Sequence, residues 1–171
     1  MNKDIRQLLS IMEEGGKSQQ KITVPHFWRG GTNGDENEWN QPMNWYNRRV
    51  PGWFDVVVIA GAFTRWNCYP VINEFANDIA QLIIEPGGRL VISEHGKLSI
   101  DGLAKKGLGI VNEGEIYIEG ELSVHRTTMA SVRNIGTILN SGSFAIDKSE
   151  ARGIIHTETG KFENFGELLF L

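Results

Sequence analysis

A single cysteine, Cys68, stands in the whole chain of 171 residues. One thiol can form neither an internal disulfide framework nor a Cys-based zinc site. No run approaches the ~20 apolar residues that carry a helix across a bilayer. Positive charge is also short: 17 Lys and Arg face 21 Asp and Glu, for a formal net charge of -4. Neutralising phosphates needs a basic face, so nucleic acid is not an expected partner. Proline occurs only five times and charged residues make up 22% of the chain, which argues against a low-complexity or disordered polypeptide. The four histidines (His26, His95, His125 and His156) form no H-x-x-H or H-E-x-x-H pair, and none is expected beyond a surface or turn role. No metal and no cofactor is expected.

What the chain does have is 40% apolar residues, enough for a core, and 20 glycines. The glycines are not scattered. Gly114 and Gly136 stand 22 apart, as do Asn112 and Asn134, and Gly120 and Gly142. Apolar positions keep the same phase: Ile116 with Ile138, Leu122 with Phe144, and Val124 with Ile146. Upstream and downstream the spacing stretches to 24 for Gly96 to Gly120 and Gly142 to Gly166, and to 26 for Gly88 to Gly114. Within each unit apolar residues alternate, which is the period of a strand. A fixed repeat of about 22 to 26 residues built from short strands and Gly turns predicts one rung of a solenoid. The expected fold is all-β: a short right-handed parallel β-helix of about four rungs, preceded by a short N-terminal amphipathic helix.

Stacked rungs predict particular neighbours. Asn112 should lie on Asn134, and Asn140 on Asn164, as amide ladders. Arg89 should pair with Glu115, and Lys97 with Glu121, on the outer face. Leu90, Ile116, Ile138 and Phe162 should make one inward stack, and Leu98, Leu122, Phe144 and Leu168 another. Asp55 to Ile59, reading DVVVI, should be the entry rung.

The organisation is read as an N-terminal helix over residues 1–16, a Trp-rich entry module over 17–78 and the rungs over 79–171. Ile5, Leu8, Leu9 and Met12 follow helical spacing, and Gly15-Gly16 supply a stop. Asp4, Arg6, Gln7 and Ser10 interrupt the apolar run, so this is not a signal-peptide pattern. That points to assembly inside the cell. The helix is expected to cap the domain or to dock a partner.

All five tryptophans, Trp28, Trp39, Trp45, Trp53 and Trp66, fall in the entry module among turn-forming Gly, Asn and Asp residues. Their rings could plug the end of the solenoid, or stack on sugar rings as a binding face. Trp28, Gly30, Trp39, Asn40, Asn44, Trp45, Val50, Pro51, Asp55, Val57, Ile59, Gly61, Tyr69, Pro70, Val71 and Ile72 together form a pattern. It resembles the entry modules of large secreted surface proteins of Bacteroidetes-type bacteria, and more distantly the G8-type module. The resemblance implies a parallel β-helix and a cell-envelope or surface-adhesion role.

Chemistry is sparse. Glu115, Glu119 and Glu121, read as one strand, are expected to be a solvated face, and Cys68 a buried structural thiol. No D-x-D calcium pattern appears in the rungs, and the oxygen-rich GTNGDENEW lacks EF-hand spacing. A non-catalytic structural or protein-interaction role is the leading expectation. Leu168, Leu169, Phe170 and Leu171, with Ile5 and Leu9, are the expected interface for self-association or a protein partner. A carbohydrate-binding module using the tryptophans is the alternative, and a polysaccharide-degrading enzyme the remaining one. Asn112, Asn134, Asn140, Asn164, Gly114, Gly136, Gly120 and Gly142 are assigned to structural turns.

Overall fold

The computed structural model describes residues 25–101, 107–147 and 152–171. The expected N-terminal helix, with Ile5 and Leu9, lies outside the described residues. The rest is a parallel β-solenoid, and no described residue is in an α-helix.

An incomplete entry turn, ahead of the numbered turns, holds β1 (His26–Phe27), β2 (Val56–Ile59) and β3 (Val71–Ile72). Four complete turns of three strands follow. They are β4 (Gln81–Ile84), β5 (Arg89–Ile92) and β6 (Lys97–Ile100); then β7 (Leu108–Asn112), β8 (Glu115–Ile118) and β9 (Glu121–Val124). The third turn holds β10 (Ala130–Asn134), β11 (Thr137–Asn140) and β12 (Ser143–Ile146). The fourth holds β13 (Arg152–His156), β14 (Lys161–Asn164) and β15 (Glu167–Phe170). Three parallel sheets result, in the orders β1-β2-β4-β7-β10-β13, β3-β5-β8-β11-β14 and β6-β9-β12-β15.

Register follows the repeat. Leu90, Ile116, Ile138 and Phe162 are successive partners across the second sheet. Leu98, Leu122, Phe144 and Leu168 are successive partners across the third. These side chains face inward and build one continuous core with Leu82, Ile110 and Val132 from the first sheet. The core runs without a break from the Trp-rich segment into the rungs, since β2 pairs directly with β4.

The corners explain why glycine recurs at one phase. A Cβ on Gly120, Gly142 or Gly166 would lie 2.2 Å from the carbonyl oxygen of Gly96, Gly120 or Gly142 respectively. Each turn presses its backbone on the one before, and only a residue without a side chain fits. Beside these corners the asparagines form ladders. Asn112 Nδ2 donates to Asn134 Oδ1 at 2.8 Å, and Asn140 Nδ2 donates to Asn164 Oδ1 at 2.6 Å. His156 takes the slot above Asn134 and ends the first ladder.

The outer pairs form as expected. Arg89 meets Glu115 at 2.7 Å and Lys97 meets Glu121 at 2.6 Å. Glu115, Glu119 and Glu121 do not share one strand, however. The corner at Glu119-Gly120 splits them between β8 and β9, because the rung must turn there to close its triangle.

Candidate functional site

The two ends of the solenoid are chemically unlike. At the entry-turn end, Trp28, Trp39 and Trp45 are completely buried. Trp45 stands edge-on to both neighbours, with ring centroids 4.9 Å from Trp28 and 4.8 Å from Trp39. Such T-shaped contacts add to the area these rings bury. The backbone N–H of Trp28 donates to Val58 O and that of Trp39 to Val71 O, so the rings lie over the ends of the first and second sheets. Indole N–H groups tie the lid down: Trp28 Nε1 donates to Cys68 O at 2.7 Å and Trp45 Nε1 to Trp39 O at 2.9 Å. The side chain of Asn44, also fully buried, holds the surrounding turns through Asp35 O, Glu38 O and the N–H of Thr32.

Of the two alternatives for the tryptophans, Trp28, Trp39 and Trp45 take the plug: they are core, taken in where the entry turn must be covered, and cannot join a binding face. Trp53 and Trp66 are exposed, at 49% and 76%. Cys68 is half-buried rather than enclosed.

Among the described residues, the fourth turn has no such aromatic lid. Strands β13, β14 and β15 each have one sheet neighbour only, so their far edges are unpaired among the described residues. The core side chains here, Ile154, Phe162 and Leu168, are only partly buried, whereas their counterparts Val132, Ile138 and Phe144 one turn earlier are fully so. Leu169, Phe170 and Leu171 are exposed, and Phe165 is 78% exposed. Phe165 is a member of this surface that the sequence reading missed. It sits at the corner after Asn164, at the phase where Ser141 and Glu119 stand in earlier turns.

A second cluster was also missed, and it corrects the expected surface role of His26. His26 and Asp55 are buried, and Arg49 joins them. The guanidinium donates to Asp55 Oδ2 at 2.8 Å and Oδ1 at 3.0 Å, and lies 2.6 Å from His26 Nε2. The Gly52 N–H also donates to Asp55 Oδ2 at 2.8 Å. Burial holds the His26 pKa below its ordinary value, against the raising effect of Asp55. Burial pushes Asp55 upward, but the hydrogen bonds from Arg49 and Gly52 outweigh it and leave its pKa lowered. The cluster fastens the segment before β2 to β1.

Two depressions on the described surface bear on binding. One, of about 310 Å³, is lined by Gly52, Trp53, Phe75, Asn77 and Asp78. Arg126 stacks on Trp53 and is paired with the buried Asp101. The other, of about 440 Å³, runs along the corners at Gly88, Gly114 and Gly136. Its Arg89 is held between Tyr69 and Tyr117 and by Glu115. Among the described residues, no group of three or more His, Cys, Asp or Glu could hold a metal ion, and no helix is long and apolar enough to cross a membrane.

No family model matches the chain, and no match was found among curated proteins or solved structures.

Proposed function

We propose that this chain is a non-catalytic interaction protein that docks protein strands through its open fourth turn, other copies of itself among them. The observation that supports the reading is the contrast between the ends. One is sealed by Trp28, Trp39 and Trp45; at the other, among the described residues, the far edges of β13 and β14 have no sheet neighbour and lie beside the exposed Phe165 and Leu169. Unpaired strand edges are templates for another chain. Apolar side chains grouped beside such edges mark association surfaces. A role on the cell envelope, which the resemblance of the Trp-rich segment implies, is consistent with a docking solenoid.

Light scattering over a concentration series tests the proposal. A species heavier than the 19.1 kDa chain is expected. Phe165→Lys and Leu169→Lys, both at exposed positions, should return it to monomer. A wild-type chain that stays monomeric throughout would defeat the proposal.

A second reading rests on the depression between Trp53 and Phe75. Trp53 is an exposed ring held in place by Arg126, with Asn77 and Asp78 beside it to bond hydroxyl groups. That combination supports a small saccharide site. Titration with N-acetylglucosamine and methyl glucoside should shift the Trp53 indole NMR signal, and Trp53→Ala should remove the response.

A further inference from the structure

The open turn offers more than an apolar surface, because its charges and hydrogen-bonding groups specify an arrangement. Resting on the docking role proposed above, we infer that two copies join open end to open end as a two-fold dimer. In it, β14 pairs antiparallel with β14 of the second copy and Phe162 lies opposite Phe162.

Lys161 N donates to Gly136 O at 2.8 Å and Phe165 N to Asn140 O at 2.7 Å, both in the preceding turn. In a parallel pair, residues that bond one neighbour alternate with residues that face the other side. Phe162 and Asn164 therefore turn their N–H and C=O groups to the free edge. An antiparallel partner centred on Phe162 meets it as a hydrogen-bonded pair, with both copies exchanging N–H···O bonds. Inward residues then oppose inward residues, and the two cores become continuous.

Charge selects this register among those that keep the cores aligned. Lys161 and Glu163 flank Phe162 on the outer face, where within one copy their side chains pair at 2.7 Å, so the two copies would share these charges as a four-membered network. Centring on Phe162 places each Lys161 opposite the other copy's Glu163, in the closely spaced non-hydrogen-bonded positions. Centring on Glu163 would oppose two carboxylates, and centring on Lys161 two ammonium groups, both unfavourable. The two-fold also solves the three-sided cross-section. With β14 on its own copy, β13 of each chain faces β15 of the other, again antiparallel.

Closure at two follows from the sealed end. Head-to-tail growth would require the entry turn to accept an open turn. There, the isolated bridges from Glu38, Phe75 and Ile79 already line the second and third sheets, and the buried Trp rings cover the core. An isologous contact uses the open surface of both copies and leaves none for a third.

The test is a charge exchange at two exposed side chains, followed by light scattering, with circular dichroism to verify folding. Wild type should approach twice the chain mass. Lys161→Glu and Glu163→Lys, each alone, should weaken the dimer by roughly tenfold or more, since two attractive contacts become repulsive. An equimolar mixture of these two variants should recover it, and so should the double variant K161E/E163K. A wild-type monomer would overturn both this inference and the docking role it rests on. Assemblies larger than two would overturn the two-fold closure alone. Single variants that dimerise as well as wild type would overturn the register alone.

Discussion

Asn134 receives a hydrogen bond from Asn112 below it and gives one to the backbone above. The Asn112 Nδ2 donor lies 2.8 Å from its Oδ1, and its own Nδ2 reaches Lys161 O at 2.9 Å. Both side chains are fully buried. Two turns of the solenoid are thus joined to a third through one amide. A buried amide is costly unless its groups are paired, and this stacking pairs them.

Asn134→Ala should accordingly cost about 1–3 kcal/mol, because a fully buried amide is removed, the Lys161 carbonyl loses its side-chain donor and Asn112 Nδ2 is left with Thr137 O at 3.1 Å as its one acceptor. Asn164→Ala should cost less, about 0.5–1.5 kcal/mol, since residue 164 is exposed and Asn140 Nδ2 retains Glu167 O at 2.8 Å. Urea unfolding checks the order. The midpoint should fall in both variants, further for Asn134, with little change in slope.

These ladders were legible in the sequence because stacking repeats the same environment at the same phase. Asn112 and Asn134, Gly120 and Gly142, and Ile116 and Ile138 all face one physical demand per turn, and spacing alone aligns them. The Trp-rich segment has no such period. Whether a ring there is lid or surface depends on which sheet its backbone meets, and Trp39 is fixed by Val71, 32 residues away. The His26–Arg49–Asp55 cluster was hidden for the same reason. Its only local signal is Arg49 before the Pro51-Gly52 turn and Asp55 after it. Phe165 was overlooked because its phase in earlier turns is held by the polar residues Glu119 and Ser141.

Two glycines separate crowding from backbone strain. Gly142→Ala places a methyl 2.2 Å from Gly120 O at a corner pressed by the turn below. Overpacking of this kind should cost about 1–3 kcal/mol, or more where the backbone cannot yield. Gly34 has φ of +88° and nothing within 4 Å of an added Cβ. Gly34→Ala should therefore show only the left-handed conformational cost of roughly 1–2 kcal/mol per residue. Thermal unfolding of the two variants tests the difference, and equal shifts would mean that the corners have room to relax.

The buried His26–Arg49–Asp55 cluster makes stability depend on pH. His26 has a folded pKa below the ordinary 6.5, so between those two values the unfolded chain binds a proton that the folded chain does not. Stability is then lost as pH falls below about 6.5, with a slope approaching ~1.4 kcal/mol per pH unit while the difference is one full proton. Protonating His26 also places a second cation beside Arg49, 2.6 Å away. Asp55 acts at lower pH. Its carboxylate is held below the ordinary 3.8, so its contribution is present above that value and disappears as pH falls through the folded pKa. The acid transition should have two parts, the first belonging to His26. His26→Gln should flatten the fall in stability that sets in below about pH 6.5 while leaving the Asp55 part in place. Urea midpoints measured from pH 4 to 8 check this. An unchanged slope in the variant would show that the loss near pH 6 arises elsewhere.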